Sequence, residues 1–207
     1  MSQQVAGTAT LEQILRAIAQ VAKSPAFTEE VDAVAGRMGG DTFAPEPIVS
    51  ASGATYPLSM SDATYGDPMT WVSGKYGAFA RVLTTNQLRP IPPYPLLQLL
   101  GAQGNAVVDS SGRAVEIDQG GLAMYWYTVD AVVVTQSDRP EAVTRRAMAL
   151  STALERLIRR NQNLGGLVQL IRPEGPASPG GEVESKRVGI LSGMMQRYSA
   201  AAISSID

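Results

Sequence analysis

The stretch that most constrains this chain is Met124 to Thr135, which reads Met-Tyr-Trp-Tyr-Thr-Val-Asp-Ala-Val-Val-Val-Thr. Aromatic and β-branched residues dominate it, and it holds neither Pro nor Gly, so it predicts a strand. The pattern then changes period. Ser137 and Asp138 offer N-caps, Pro140 stands near a first helical position, and Glu141 lies three residues after Asp138, as a capping box requires. A helix is expected from Arg139 to Asn163. Along it Val143, Ala147, Leu150, Leu154, Leu157 and Ile158 recur at the spacing that stacks side chains on one buried face. Arg145, Met148, Thr152, Arg156, Arg159 and Arg160 gather on the opposite face, the last two where positive charge favours the helix dipole.

Asn163-Leu164-Gly165-Gly166 ends that helix, because Asn and Gly tolerate the left-handed backbone of a C-cap. Leu167 to Ile171 then predicts a short strand. Pro173 to Ser185 is too rich in Pro, Gly and Ser for regular structure, whereas Arg187 to Ala200 returns to a β-like pattern. The expected product is a hairpin with an unusually long tip.

Upstream, Thr10 and Gln13 have capping-box spacing. Leu11, Ile14, Leu15, Ile18 and Ala22 share one face against Glu12, Arg16, Gln20 and Lys23, which predicts an amphipathic first helix. Pro25 is expected to end it. Thr28 to Met38 suggests a second short helix stopped by Gly39-Gly40. Eight of the chain's 13 prolines fall between Asp41 and Leu100, so long regular elements are not expected there. The same stretch carries Phe43, Tyr56, Tyr65, Trp71, Tyr76, Phe79 and Tyr94, too aromatic for a solvated linker and expected to pack on the domain or a neighbour. Asn105 to Ile117 predicts a hairpin around Asp109-Ser110-Ser111-Gly112. The expected class is α+β: one domain over residues 1–207, an antiparallel sheet with two amphipathic helices on one face, and an irregular Pro/aromatic-rich insertion at 41–100.

Composition limits the chemistry. With no His and no Cys, the commonest general base, the commonest metal ligand and all thiolate chemistry are missing. The 17 Lys+Arg against 19 Asp+Glu give a net charge of −2, without the basic excess that a dedicated DNA-binding surface needs. No apolar run reaches membrane-spanning length, and 44% hydrophobic residues can build a core. No catalytic residue, cofactor or metal is expected. Ser73-Gly74-Lys75-Tyr76 fails as a phosphate loop, since Tyr76 stands where Ser or Thr must hold magnesium and Met69 where the first Gly belongs. Gly101-Ala-Gln-Gly104 reads as a turn. Asp62, Asp67, Asp109, Glu116, Asp118 and Asp130 are scattered acids, expected to be surface solvation rather than a hydrolytic pair.

The segment ending Val132-Val133-Val134, the Arg139 to Asn163 helix, Asn163-Leu164-Gly165-Gly166-Leu167-Val168, and the closing Met195-Gln196-Arg197-Tyr198 together resemble the tail terminator, or tail completion, proteins of long-tailed bacteriophages. That resemblance implies a virion structural protein, assembled in the host cytoplasm into a ring, hexameric in the family, that caps the tail tube and joins tail to head. The implied partners are copies of itself, the tail tube protein, neck or connector proteins and the sheath, with DNA passing through the ring and no sequence-specific nucleic-acid binding. A head-to-tail neck or adaptor protein is the alternative, favoured by the long insertion; a cell-wall-degrading phage enzyme is a more distant one. Interface candidates are Arg145, Met148, Arg156, Arg159 and Arg160 on the helix, and Pro173, Pro176 and Pro179 in the hairpin tip. The helix group reads equally as a solvated face, and the proline group as a mobile surface loop. Met148 favours the interface, because an adaptable apolar side chain among arginines sits better against a partner than in water.

Overall fold

A computed structural model describes residues 8–38, 70–72, 79, 81–84, 94–115, 122–137, 140–185 and 189–205. Its elements, in order, are α1 (Leu11–Lys23), α2 (Pro25–Arg37), β1 (Thr70–Val72), β2 (Arg81–Thr84), β3 (Leu96–Ala106), β4 (Leu122–Ser137), α3 (Pro140–Arg160), a 3-10 turn (Leu164–Gly166), β5 (Leu170–Pro173), β6 (Ser178–Ser185) and β7 (Gly189–Ser205). The fold is α+β.

The aromatic segment forms β4, and it pairs with β7 along its whole length, from Leu122 opposite Ser205 to Ser137 opposite Ile190. Around this central ladder the sheet runs β1-β2-β3-β4-β7-β5, with β6 also paired to β7. An all-antiparallel sheet was the expectation; the β2 to β3 pairing is parallel, and the other pairings are antiparallel. Parallel neighbours need a crossover connection, and residues 85–93 between them lie largely within the proline-rich stretch.

Period-2 alternation splits the strands between two apolar clusters. Leu97, Leu99, Tyr127, Val129, Val133, Tyr198 and Ala200 share the main core with Ile14, Ile18, Val31, Leu150 and Leu154 of the three helices. Leu83, Tyr94, Leu96, Val132 and Val134 form a smaller cluster through the alternate positions. Each fully buried Leu or Ile here contributes about 1.5–3 kcal/mol by leaving water. Buried Thr135 ties the layers together: its hydroxyl bonds the Val143 carbonyl of α3 at 2.8 Å and lies 3.3 Å from the Ser192 carbonyl of β7.

α1 opens on the expected capping box, with the Gln13 amide on the Thr10 hydroxyl and the Thr10 amide on the Gln13 side chain. Pro25 does more than end α1. It occupies the first turn of α2, with Ser24 as N-cap, so α2 begins three residues before the expected Thr28. Phe79 and Tyr94 are buried, and the Phe79 ring stacks on Phe27 with centroids 5.1 Å apart. Trp71 lies in β1, opposite Val82 of β2; Phe43, Tyr56, Tyr65, Tyr76, the Asp138 cap, the Glu141 side chain and Gly39-Gly40 lie outside the described residues.

Three further expectations are corrected. Gly101 to Gly104 is not a turn but part of β3, where Gly101 gives Leu11 of α1 room to approach; a Cβ there would come 2.6 Å from Leu11 Cδ1. The strand expected at Leu167 starts at Leu170, because the chain spends Leu164 to Gly166 in left-handed conformations, with φ of 48°, 74° and 91°. Most consequentially, Ser178 to Ser185 is strand: β6 pairs with β7 from Ser178 opposite Met195 to Ser185 opposite Gly189. The expected irregular stretch shrinks to residues 174–177, an interruption between β5 and β6, which pair with successive stretches of β7. A ladder offered by the unusually long β7 overrides poor local propensity, and the register shift between Pro179 and Glu182 absorbs the misfit.

Candidate functional site

The helix that follows β4 presents its arginines in two separate settings. Glu30 of α2 is buried, with the residue only 7% exposed, yet its carboxylate faces α3. Arg156 donates to its Oε1 at 3.2 Å and Arg160 to its Oε2 at 2.6 Å, while Arg37 approaches Oε1 at 3.6 Å. Burial alone would raise this carboxyl, but the hydrogen bonds and charges of Arg156 and Arg160 outweigh it and hold the group below its ordinary range. Arg156 and Arg160 are therefore engaged within the chain, clamping α2 onto α3.

The remainder of the outer face is open. Arg145 is exposed and Met148 is 41% exposed, while Arg159 pairs with Glu155 one turn back at 2.8 Å. Beside them runs a shallow groove of about 530 Å³, bounded on one side by Met148, Thr152, Glu155 and Arg159, and on the other by Gly175, Pro176, Ala177 and Met194. The turn between β5 and β6 is held in place from below, where the buried Gln196 side chain donates to the Gly175 carbonyl at 3.0 Å. The groove thus joins Met148 and Arg159 to Pro176. Pro173 sits in β5 and Pro179 in β6, so neither belongs to a projecting arm.

Beneath the groove the polar groups are few. The Gln196 Oε1 atom and the Tyr198 hydroxyl are buried without a hydrogen-bond partner. Burial, aided by the charge of Glu155, pushes the Tyr198 phenol far above its ordinary value, so it stays neutral. A second cavity of about 450 Å³ lies where the α1–α2 elbow meets the end of α3, lined mainly by Ala17, Val21, Leu157 and Leu164 with Arg160 at its rim.

Among the described residues the two singled-out acids, Asp109 and Asp130, serve separate local contacts. Asp109 accepts from the Ser111 amide at 2.8 Å, the Ser111 hydroxyl at 2.7 Å and the Arg113 amide at 3.1 Å; these bonds close the expected turn and hold its carboxyl below the usual range. Asp130 on β4 is opposite Arg197 on β7, joined by a two-pronged contact at 2.7 and 2.9 Å that raises Arg197 above its ordinary value. Asp62, Asp67, Glu116 and Asp118 lie outside the described residues, as do Ser73 to Tyr76. Among the described residues no cluster of three or more His, Cys, Asp or Glu could hold a metal ion, and no helix is long and apolar enough to cross a membrane. The Glu30 clamp and the groove escaped sequence reasoning. Glu30 reads as an ordinary polar position in a short helix, and its partners stand more than a hundred positions downstream.

No protein-family model matches this sequence, and no curated protein is significantly similar to it.

Proposed function

We propose that this chain is a virion structural protein, a phage tail terminator whose copies close into a ring that caps the tail tube and joins it to the head. The observation that carries the reading is the open side of α3: Met148, exposed among arginines, lies along a groove whose other wall is the Pro176 turn. Ring closure needs heterologous contacts, in which one surface meets a different surface on the neighbour. The α3 groove supplies one such surface, and the strand, helix, Leu-Gly-Gly and strand order that resembles the tail terminators supplies the rest of the argument. In this reading residues 1–207 are one domain, α1 and α3 form the layer over one sheet face, and residues 41–100 are an insertion that meets the neck, tube or sheath. The mechanism is steric and interfacial, with DNA passing through the lumen and no catalytic group.

Arg156 and Arg160 are spoken for by Glu30, so the informative substitutions are Arg145→Glu and Met148→Glu. Together they should raise the protein concentration needed for ring assembly by about tenfold or more, about 1.4 kcal/mol per contact, while leaving the unfolding midpoint nearly unchanged, as exposed substitutions usually do. Assembly by the double variant at the wild-type concentration would remove this face from the interface.

A further inference from the structure

The floor of the groove beside α3 is made by one side of β7. Met194, Gln196 and Tyr198 are alternate residues of that strand, so their side chains rise from one face of the sheet. Met194 lines the groove, and the Gln196 amide reaches the Gly175 carbonyl in its far wall. Tyr198 comes next in the row, where its phenol feels the charges of Glu155 and Arg159 in the near wall. Gln196 is 1% exposed and Tyr198 0%.

Each of these two side chains carries a buried polar atom with no hydrogen-bond partner among the described residues, Gln196 Oε1 and the Tyr198 hydroxyl. The orientation of the Gln196 amide is fixed. Its Nε2 donates to two carbonyls, those of Gly175 and Arg197, each at 3.0 Å, and exchanging N and O would set acceptor against acceptor. The floor therefore offers an acceptor and, two residues further on, a phenol that burial keeps protonated. A buried polar group left unpaired is destabilising, and two in succession under one groove call for bonding groups that arrive from outside. The side chains above them yield easily. The Arg159 side chain is 55% exposed, its surface pair with Glu155 contributes little, and Met148 is an adaptable thioether.

We propose that the groove takes an extended backbone segment of a neighbouring copy, in which one N–H donates to Gln196 Oε1 and one carbonyl accepts from the Tyr198 hydroxyl. This contact rests on the ring reading, since its occupant is the next subunit. Alternate residues of β7 are about 6.4–6.8 Å apart, and an extended backbone turns an N–H and a C=O to the same edge at that same interval, so a single segment meets both atoms. A helical segment would already have spent those groups on itself. An apolar side chain of the same segment packs against Met148, which is otherwise 41% exposed.

Tyr198→Phe deletes only the hydroxyl, and the test is what that deletion does to the separated subunit and to the assembly of the full chain. In the subunit the atom bonds nothing, so the variant is expected to unfold at the same denaturant concentration as wild type or a higher one. In the ring it loses a bond, so the protein concentration needed for assembly should rise about fivefold. Tyr127→Phe is the control, because the buried Tyr127 hydroxyl lies 3.4 Å from the Ala9 carbonyl and bonds it within the chain. It should leave the assembly concentration unchanged. Tyr198→Phe rings that form at the wild-type concentration, a subunit that this change destabilises, or equal rises in the two variants would each overturn the proposal and leave the terminator reading intact. Wild-type chains that stay single at high concentration would overturn both.

Discussion

Removing the Glu30 carboxylate should loosen the helical layer more than any other single charge change among the described residues. Its oxygens receive Arg156 and Arg160 from a helix far away in sequence, so the clamp joins α2 to α3. Glu30→Gln is expected to lower stability by about 1–3 kcal/mol, less than for a fully buried pair because the arginines stay partly in water. The pH dependence has a definite sign. A folded-state value held below the unfolded one makes the contribution complete above the unfolded carboxylate range and progressively lost as pH falls through the folded value. In denaturant melts the gap between wild type and Glu30→Gln should therefore be widest near neutrality and close in acid; a gap that stays constant with pH would contradict the clamp. At this scale the sequence was only half legible. The 3.6-residue period put Arg156, Arg159 and Arg160 outside the apolar stripe correctly, yet periodicity is local and cannot reveal that a buried acid on another helix already holds two of them.

Elements whose ends are written in short-range chemistry were the readable ones. Thr10 and Gln13 make the reciprocal cap of α1, and Thr10→Ala should cost about 1 kcal/mol of stability in thermal or urea unfolding. The end of α3 depends on backbone conformation instead. Gly165 sits at φ 74° with open space around it, so Gly165→Ala would clash with nothing and still cost about 1–2 kcal/mol through the left-handed backbone alone. An unfolding midpoint equal to wild type would argue against that geometry. β6 was unreadable for the converse reason. Pro179, Gly180 and Gly181 oppose strand formation locally, and what forms the strand is the ladder presented by β7, a partner beyond any short window. The parallel placement of β2 beside β3 is likewise a fact of topology, which no residue in either strand announces.

Across the molecule, the long β4 to β7 ladder and the main core bind the layers, with α1 and α3 contacting strands and α2 packing on α3, through residues such as Ile18, Val31, Leu154 and Val129. Leu154→Ala should destabilise by about 2–5 kcal/mol in chemical denaturation, since packed surroundings close only partly over the lost volume. The α+β class followed from the alternation of periods along the chain, and the absence of His and Cys narrowed the chemistry. The groove between α3 and the Pro176 turn was not legible, because it is made by tertiary packing of residues that are individually bland. Assembly is the central claim, and two-dimensional class averages of the purified full-length protein by electron microscopy test it most directly. The account predicts closed rings with a central opening and a fixed number of subunits; particles that remain single chains at high concentration would contradict it.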